Sequence, residues 1–231
     1  MEGPDAEAAV LADERRIGPL AGASELTSER RLLRLILVRA KGLLALSGGD
    51  DGFLRLWWLP DGMGSTRMGD GAARADHVLA GHAGAVCGVE VDWEGRKALS
   101  GARQDAVLWL WDLERGQALH KLVGHTGDVY GMTVDWDRAR ALSWGQDCTL
   151  CVWDLARGRA LHLLQGHSEP VCDAEVSWEK LRAVSWSGVA SSERALWVWD
   201  LSCGTALAVC ACNGPIECVE VDWDRLRALS W

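Results

Sequence analysis

Several ordinary components are scarce in this chain of 231 residues, which has one tyrosine, one phenylalanine and five prolines. It has no uninterrupted apolar run of about 18 residues, the length that a transmembrane helix requires. Residues 1–16 are rich in alanine and acidic side chains and lack the apolar centre of a secretory signal peptide. We therefore expect no association with a membrane and a cytoplasmic location, with a nuclear one also open.

Positive charge is scarce as well, because 24 lysines and arginines stand against 33 aspartates and glutamates, for a net charge of −9. Proteins that bind nucleic-acid phosphates usually carry a basic face. The composition therefore disfavours nucleic acid as a partner and favours a protein or a peptide.

Tryptophan, by contrast, is abundant, with 14 residues, and it belongs to an internal repeat. One phrase occurs four times, as "VDWEGRKALSG" (91–101), "VDWDRARALSW" (134–144), "VSWEKLRAVSW" (176–186) and "VDWDRLRALSW" (221–231). The tryptophans of successive copies are 43, 42 and 45 residues apart. A second phrase, of the type "LCVWDLARGRALHLLQGH", runs in step with the first. A degenerate first copy at 41–60 keeps Ser47, Asp51 and Trp57.

Each copy predicts four short strands separated by turn signals. In the third strand, apolar residues occupy both alternating sets of positions, which is typical of a sheet covered on both faces. Four strands per copy of just over 40 residues, with Gly-His and Trp-Asp pairs, resemble the WD-repeat β-propeller family. The resemblance implies an all-β fold of four-stranded antiparallel blades.

The copies predict a propeller domain over 30–231, preceded by an acidic segment, 1–29, that is either partly disordered or a closing strand. Blades are expected at about 30–80, 81–122, 123–165 and 166–210, followed by a half blade at 211–231. Insertions at 61–76 and 187–193 are expected in loops. The number of copies predicts a propeller that is incomplete or irregularly closed, and part of a longer propeller is favoured over a small irregular ring.

In this family, a buried hydrogen-bond network links the Gly-His imidazole, a serine of the second strand, a turn aspartate and a tryptophan of the third strand. Three sets match, with Glu193 in the aspartate position of the last: His82, Ser100, Asp105 and Trp111; His125, Ser143, Asp147 and Trp153; His167, Ser185, Glu193 and Trp199. Serine, histidine and aspartate together also occur in hydrolases, but a catalytic triad needs one asymmetric site. Repetition in every copy favours a structural role, and we expect no catalytic residue.

No metal or cofactor site is expected. Cys148 and Cys151, like Cys210 and Cys212, are placed in strand-like segments, and in a strand the first two, three residues apart, point to opposite faces. The histidines five positions before each Gly-His (His77, His120 and His162) are disfavoured as metal ligands for the same reason. The glycine-rich stretches do not follow the phosphate-loop pattern.

The function expected from the resemblance is a non-catalytic scaffold that binds a protein or peptide through propeller loops. The alternatives are a regulatory or substrate-recruiting portion of a larger enzyme or complex, or a catalytic propeller. Loop residues that differ between copies are the candidate partner-binding residues: Arg103, Gln104, Asp128, Tyr130, Gln146 and Glu169. Tyr130 is either a binding hot spot or a filler of the channel wall.

Overall fold

The structure is a computed structural model that describes residues 33–38, 44–58, 75–188, 192–225 and 227–230. The predicted N-terminal segment lies outside the described residues, as do most of the 61–76 insertion and part of the 187–193 insertion. The described residues contain no helix that is long and apolar enough to cross a bilayer.

All regular structure in the described residues is β, in four four-stranded antiparallel sheets and one two-stranded sheet. The first sheet consists of β1 (Leu33–Val38), β2 (Leu44–Gly49), β3 (Phe53–Trp58) and β4 (Ala75–Ala80). The second consists of β5 (Val86–Asp92), β6 (Lys97–Ala102), β7 (Asp105–Asp112) and β8 (Gln117–Val123). The third consists of β9 (Val129–Asp135), β10 (Arg140–Gly145), β11 (Thr149–Asp154) and β12 (Arg159–Gln165). The fourth consists of β13 (Val171–Ser177), β14 (Arg182–Ser187), β15 (Ala195–Asp200) and β16 (Thr205–Ala211), and the last of β17 (Val219–Asp222) and β18 (Arg227–Ser230).

Strand order within each sheet follows chain order, so every blade is a meander with its first strand at one edge. These first strands contact one another in sequence, β1 with β5, β5 with β9, β9 with β13 and β13 with β17. They therefore form the inner side of an arc, and the fourth strands lie outside. The predicted all-β fold of four-stranded blades is confirmed, with an incomplete or irregular propeller as its form.

The cores lie between neighbouring blades. One cluster joins Leu99 and Leu108 of the second blade to Met132 and Trp153 of the third. The third strand β11 is buried from Leu150 to its end, on both faces, as its doubly apolar pattern predicts. A shift of pairing by one residue would place each side chain in the wrong core, which fixes the register.

Aspartates that end the first strands shape the turns that follow. The carboxylates of Asp92 and Asp135 accept backbone N–H bonds of 2.8–3.1 Å from the next turn. Arg96 and Ala139 then take left-handed φ values of 53° and 50° to reverse the chain. These turns lie at the end of the blades that we call the lower face.

The aspartates of the Trp-Asp pairs act in the same way after the third strands. Asp112 and Asp154 form ion pairs of 2.7 and 2.8 Å with Arg115 and Arg157. The hydrogen bonds from these two arginines hold the pKa of both carboxyls below the usual range. The Trp-Asp aspartate is therefore a turn residue of the lower face and is not the aspartate of the histidine network.

The histidines five positions before each Gly-His pair join adjacent blades. Each lies against a glycine of left-handed φ in the lower turn of the next blade, in the pairs His77 with Gly116, His120 with Gly158 and His162 with Gly204. A Cβ on the glycine would lie 2.5–2.7 Å from the imidazole or its Cβ. Only glycine allows both this approach and this conformation.

Candidate functional site

The third blade shows the histidine network in full. The His125 Nδ1 lies 2.9 Å from Asp147 Oδ2, and its Nε2 lies 2.7 Å from Ser143 Oγ. Trp153 Nε1 donates to the same Ser143 Oγ at 2.8 Å. Asp147 also accepts the backbone N–H of Thr126 at 2.8 Å, which ties the Gly-His loop to the turn. The structure thus brings all four predicted side chains together.

The bonds of this network run in one direction. A carboxylate only accepts, so Nδ1 of His125 carries the proton that Asp147 binds. The indole N–H only donates, so the hydroxyl of Ser143 accepts from Trp153 and donates to Nε2 of His125. All groups are paired only when the imidazole is neutral, with its proton on Nδ1.

The second and fourth blades repeat these bonds at nearly the same lengths. The histidine–carboxylate, histidine–serine and tryptophan–serine distances are 2.8, 2.7 and 2.8 Å for His82, Asp105, Ser100 and Trp111, and 2.8, 2.7 and 2.8 Å for His167, Glu193, Ser185 and Trp199. Burial lowers the pKa of His82 and of His167, against the opposing effect of their carboxylate partners. Both imidazoles therefore favour the neutral form that the bond directions require.

Exposure distinguishes this arrangement from a catalytic triad, whose hydrogen bonds it shares. The hydroxyl-bearing residues Ser100, Ser143 and Ser185 have no exposed surface. Each oxygen also accepts an indole N–H, which occupies one of its two lone pairs. Within the part of the chain that the structure describes, burial closes these three serines to a substrate.

The fourth blade extends its network through the longer acid. Glu193 also accepts from Trp197 Nε1 at 2.9 Å and from Ser187 Oγ at 2.8 Å. Burial opposes ionisation of Glu193, but the hydrogen bonds from His167, Ser187 and Trp197 outweigh it and lower its pKa. In the second blade, the equivalent Trp109 Nε1 is buried without an acceptor among the described residues.

The first blade departs from the pattern. Trp57 Nε1 donates to Ser47 Oγ at 2.8 Å, as in the other blades. Asp51, however, pairs with Arg55 of its own hairpin at 2.6 Å. The hydrogen bond from Arg55 lowers the pKa of Asp51. The first blade therefore keeps the predicted Ser47, Asp51 and Trp57, but its aspartate bonds to an arginine in place of a histidine.

The cysteine placement was partly wrong. Cys148 lies in the turn before β11 with a φ of 61°, and Cys212 follows the end of β16, so neither is in a strand. Asp147, the residue before Cys148, lies in the same turn and accepts the backbone N–H of Thr149 at 3.1 Å. Burial raises the pKa of Cys151 to about 12, which disfavours the thiolate that binds metal. The described residues contain no group of three or more metal ligands.

The loops before the first strands and the turns between second and third strands form the opposite end of the blades, the upper face. Three of the candidate partner-binding residues are bonded to one another there. The N–H of Gln104, which has a φ of 58°, donates to Asp128 Oδ1 at 2.8 Å. The N–H of Asp128 donates to Gln146 Oε1 at 3.3 Å, and the N–H of Gln146 returns a bond of 2.9 Å to the Asp128 carbonyl. This relay joins the second blade to the third. Because the relay uses these hydrogen-bonding groups, fewer of them are left to bind a partner.

Tyr130 is the extra residue of a β-bulge. Gly131 pairs with Trp144 and Val129 pairs with Gly145, so Tyr130 has no partner on β10. The side chain is 39% exposed. Burial and the nearby charge of Asp128 raise its pKa. Bulges redirect a side chain, and here the bulge places the only tyrosine at the surface.

Bulges recur at the same position of the neighbouring blades with smaller residues. Cys87 and Cys172 are the extra residues of the bulges in β5 and β13. The small side chain of Cys87 fits between the blades, and its thiol donates to the Val129 carbonyl of the next blade at 3.0 Å. Of the remaining candidates, Arg103 lies exposed in the turn before β7, close enough for its charge to oppose part of the rise in the Tyr130 pKa. Glu169 accepts a 2.9 Å bond from Ser192.

Sequence reasoning missed a set of inner-strand carboxylates. The third position before the strand-end tryptophan is glutamate in three of four copies: Glu90, Glu175 and Glu220. Burial raises the pKa of Glu90, and burial with the charges of Asp173 and Glu220 raises that of Glu175. The recurrence was visible in the repeat, but it had no role in the expected network and was passed over.

Comparison with known proteins agrees with this architecture. The family model "WD domain, G-beta repeat" matches residues 116–154, which include the complete His125 network. The fold is that of a WD-repeat propeller. WD40 repeats generally mediate protein–protein interaction and are usually non-catalytic.

Solved structures match over a wider span. The crystal structure of the computationally designed Ika8 protein matches with a TM-score of 0.65 and 22% identity, over 86% of this chain and 54% of that one. The chain therefore spans about half the length of that structure, and at this identity the likeness shows the fold alone. No curated protein sequence matches this chain.

Proposed function

We propose that this WD-repeat chain is a non-catalytic scaffold that captures a protein or peptide partner on its upper face. The observation that carries the proposal is a division of polar groups between the blade interiors and the surface. The histidine–serine–carboxylate sets are buried, paired and repeated, whereas Tyr130 and Arg103 are exposed and belong to one blade each. A repeated buried set supports the fold, and an unrepeated exposed set is free to recognise something.

Tyr130 has the properties of an interface anchor. It is rigid, aromatic and tipped with a hydroxyl, and its bulge holds it at the surface where three blades meet. Arg103 of the preceding blade lies nearby, and arginine and tyrosine are both enriched at binding hot spots. The relay of Gln104, Asp128 and Gln146 supports this surface from below and positions its loops.

The alternative, a recruiting portion of a larger enzyme or complex, would use the same surface. The two functions differ in what the upper face would capture: a separate protein for the scaffold, or a domain of the same assembly for the recruiting portion. Both predict that the upper face, and not the serine sets, carries the activity.

The test is capture of partners from a cell extract on the immobilised chain, measured by quantitative mass spectrometry. Tyr130→Ala and Arg103→Glu are expected to abolish capture and to leave the melting temperature nearly unchanged. Leu163→Ala and Arg159→Glu are matched controls, since both residues are exposed on the outer strand β12. Capture that survives the upper-face changes, or that the β12 changes abolish, would move the interface to the rim.

A further inference from the structure

Asn213 is the only asparagine of the chain, and a glycine, Gly214, follows it. The pair lies in the loop that joins β16 to β17, one of the loops before first strands that form the upper face. Asn213 is exposed to solvent. The surrounding residues 201–216 carry no charged side chain. A charge created at Asn213 would therefore be new to this part of the surface.

The loop is fixed at both of its ends and open between them. The Cys212 N–H donates to the Arg194 carbonyl at 2.7 Å, and Ile216 is buried in the core between the fourth blade and the half blade. Between these anchors, neither the Asn213 side chain nor the Gly214 N–H forms a hydrogen bond with any residue that the structure describes. A Cβ placed on Gly214 would have no atom within 4 Å. No contact in the described part of the chain therefore holds these two groups apart.

The proline at position 215 keeps the asparagine side chain free. The side-chain carbonyl of an asparagine often accepts the backbone N–H two residues further on, in an Asx turn that holds the side chain. Pro215 has no N–H, so Asn213 cannot form this turn. The side-chain carbon Cγ therefore stays open to the nearest nucleophile in the chain, which is the backbone nitrogen of Gly214.

An aspartate followed by glycine in the first blade shows the opposite arrangement. Asp51 accepts the N–H of Phe53, two residues further on, at 3.2 Å and forms an ion pair of 2.6 Å with Arg55. Its Asx turn and its ion pair hold the carboxylate in place. A carboxylate also resists nucleophilic attack more than an amide does, because ammonia leaves more readily than hydroxide. Of the two sites, only Asn213 combines a free side chain with an ammonia leaving group.

We propose that Asn213 is a site of spontaneous deamidation in which the backbone nitrogen of Gly214 is the nucleophile. This nitrogen gives up its proton to hydroxide and forms a bond to Asn213 Cγ, the Cγ–Nδ2 bond breaks, and Nδ2 takes up a proton and leaves as ammonia. Water then opens the five-membered imide. Attack of water at Cγ gives aspartate, and attack at the main-chain carbonyl carbon gives isoaspartate.

Either product places a negative charge on the upper face, within a stretch that has no charge of its own. Isoaspartate also adds a carbon atom to the main chain of a loop whose two ends are anchored. The reaction gives this surface a charge that depends on the age of the molecule. It needs only water and does not rest on the proposed scaffold function.

The test follows the purified full chain during incubation at mildly acidic and mildly basic pH by peptide mapping and mass spectrometry. A gain of about 1 Da should appear at Asn213. The gain should be faster at the basic pH, since the attacking nitrogen must lose its proton. An isoaspartate-specific carboxyl methyltransferase should label the same peptide. Asn213→Gln should remove both signals, because its longer side chain forms the imide ring poorly.

Gly214→Ala is the matched variant. The added methyl group crowds the attacking nitrogen and restricts the backbone, so the gain of mass should be several-fold slower. The melting temperature should stay nearly unchanged, because a Cβ at Gly214 has open space around it. An unchanged rate of mass gain in this variant would overturn the proposal.

The chain unfolded in guanidinium chloride is the second control, since no loop geometry restrains either residue there. The folded chain should deamidate at nearly the same rate, as expected for an exposed loop that opens at little cost. A folded chain that stays intact while the unfolded chain deamidates would overturn the proposal. Formation of aspartate without isoaspartate would also overturn it, because direct hydrolysis by water would then replace attack by the Gly214 nitrogen.

Discussion

Replacing His125 with alanine removes the one group that joins both halves of the third-blade network. The imidazole bonds to Asp147 at 2.9 Å and to Ser143 at 2.7 Å, and its side chain is fully buried. Without it, the Ser143 hydroxyl keeps the indole of Trp153 as donor but loses its acceptor. A buried polar group left without its partner costs about 1–3 kcal/mol, so His125→Ala should destabilise the fold by about that amount.

Asp147→Ala acts on the same bonds from the other side. It removes the acceptor of the His125 Nδ1–H and also of the Thr126 N–H and the Thr149 hydroxyl, at 2.8 Å each for the last two. The expected cost is again about 1–3 kcal/mol. Because the His125–Asp147 bond is lost in either variant, the double variant should cost less than the sum of the two by about 1 kcal/mol or more.

Urea unfolding followed by both tryptophan fluorescence and circular dichroism would measure these free energies, provided that the two transitions coincide. A control cycle pairs His125→Ala with Asp200→Ala, a turn residue in the lower face of the next blade, and should be additive. Additivity of His125→Ala with Asp147→Ala would refute the coupling and with it the network.

Three further outcomes follow from the repeated contacts. Gly158→Ala should destabilise the fold by about 1–3 kcal/mol, because the φ of Gly158 is left-handed at 64° and the new Cβ would lie 2.5 Å from His120 Cγ. Gly214→Ala is the control: a Cβ there would have no atom within 4 Å, so the free energy of unfolding should change little in the same urea titration. Trp197→Phe should cost about 1 kcal/mol more than Trp109→Phe, since only the first indole donates to an acceptor among the described residues; equal costs would contradict this. The buried imidazoles of the second and fourth blades have pKa values lowered by burial, so the unfolded chain binds more protons. The free energy of unfolding should therefore be highest above about pH 6.5 and fall as the pH is lowered through that value, and a flat profile between pH 7 and 5 would show that these histidines do not titrate on unfolding.

The blades could be predicted from the repeat, because each copy of the sequence packs in the same way and keeps the same residues at the same positions. Strand positions follow from the recurrence of the tryptophan and Trp-Asp phrases, since a register slip would misplace every side chain in them. The three histidine sets could be predicted for the same reason. Each histidine is 18 to 26 residues from its serine and carboxylate partners in the chain, but the antiparallel meander returns them to the same end of the blade.

The upper-face geometry could not be predicted from the pattern. Ser100 and Asp105 are five residues apart, but Ser143 and Asp147 are four apart, so the turn reverses at a different residue in each blade. The left-handed residue is Gln104, before the aspartate, in one and Cys148, after it, in the other. The spacing can be read from the copies, but they do not show which residue takes the left-handed conformation or that the Gln104 N–H bonds to Asp128 of the next blade. The bulge that exposes Tyr130 was hidden in the same way, because two cysteines occupy its position in the neighbouring blades.

The hydrogen-bond pattern of the histidine sets does not by itself separate a catalytic role from a structural one. Serine to imidazole to carboxylate is the bond order of a hydrolase triad, and each set in this chain reproduces it with distances of 2.7–3.1 Å. The difference lies in the fourth member. The indole N–H of Trp153 donates to Ser143 Oγ at 2.8 Å and takes one of its two lone pairs, and Ser143 has no exposed surface. With its tryptophan, each set cross-links the Gly-His loop, a turn and two strands, and this favours a structural role for the three sets.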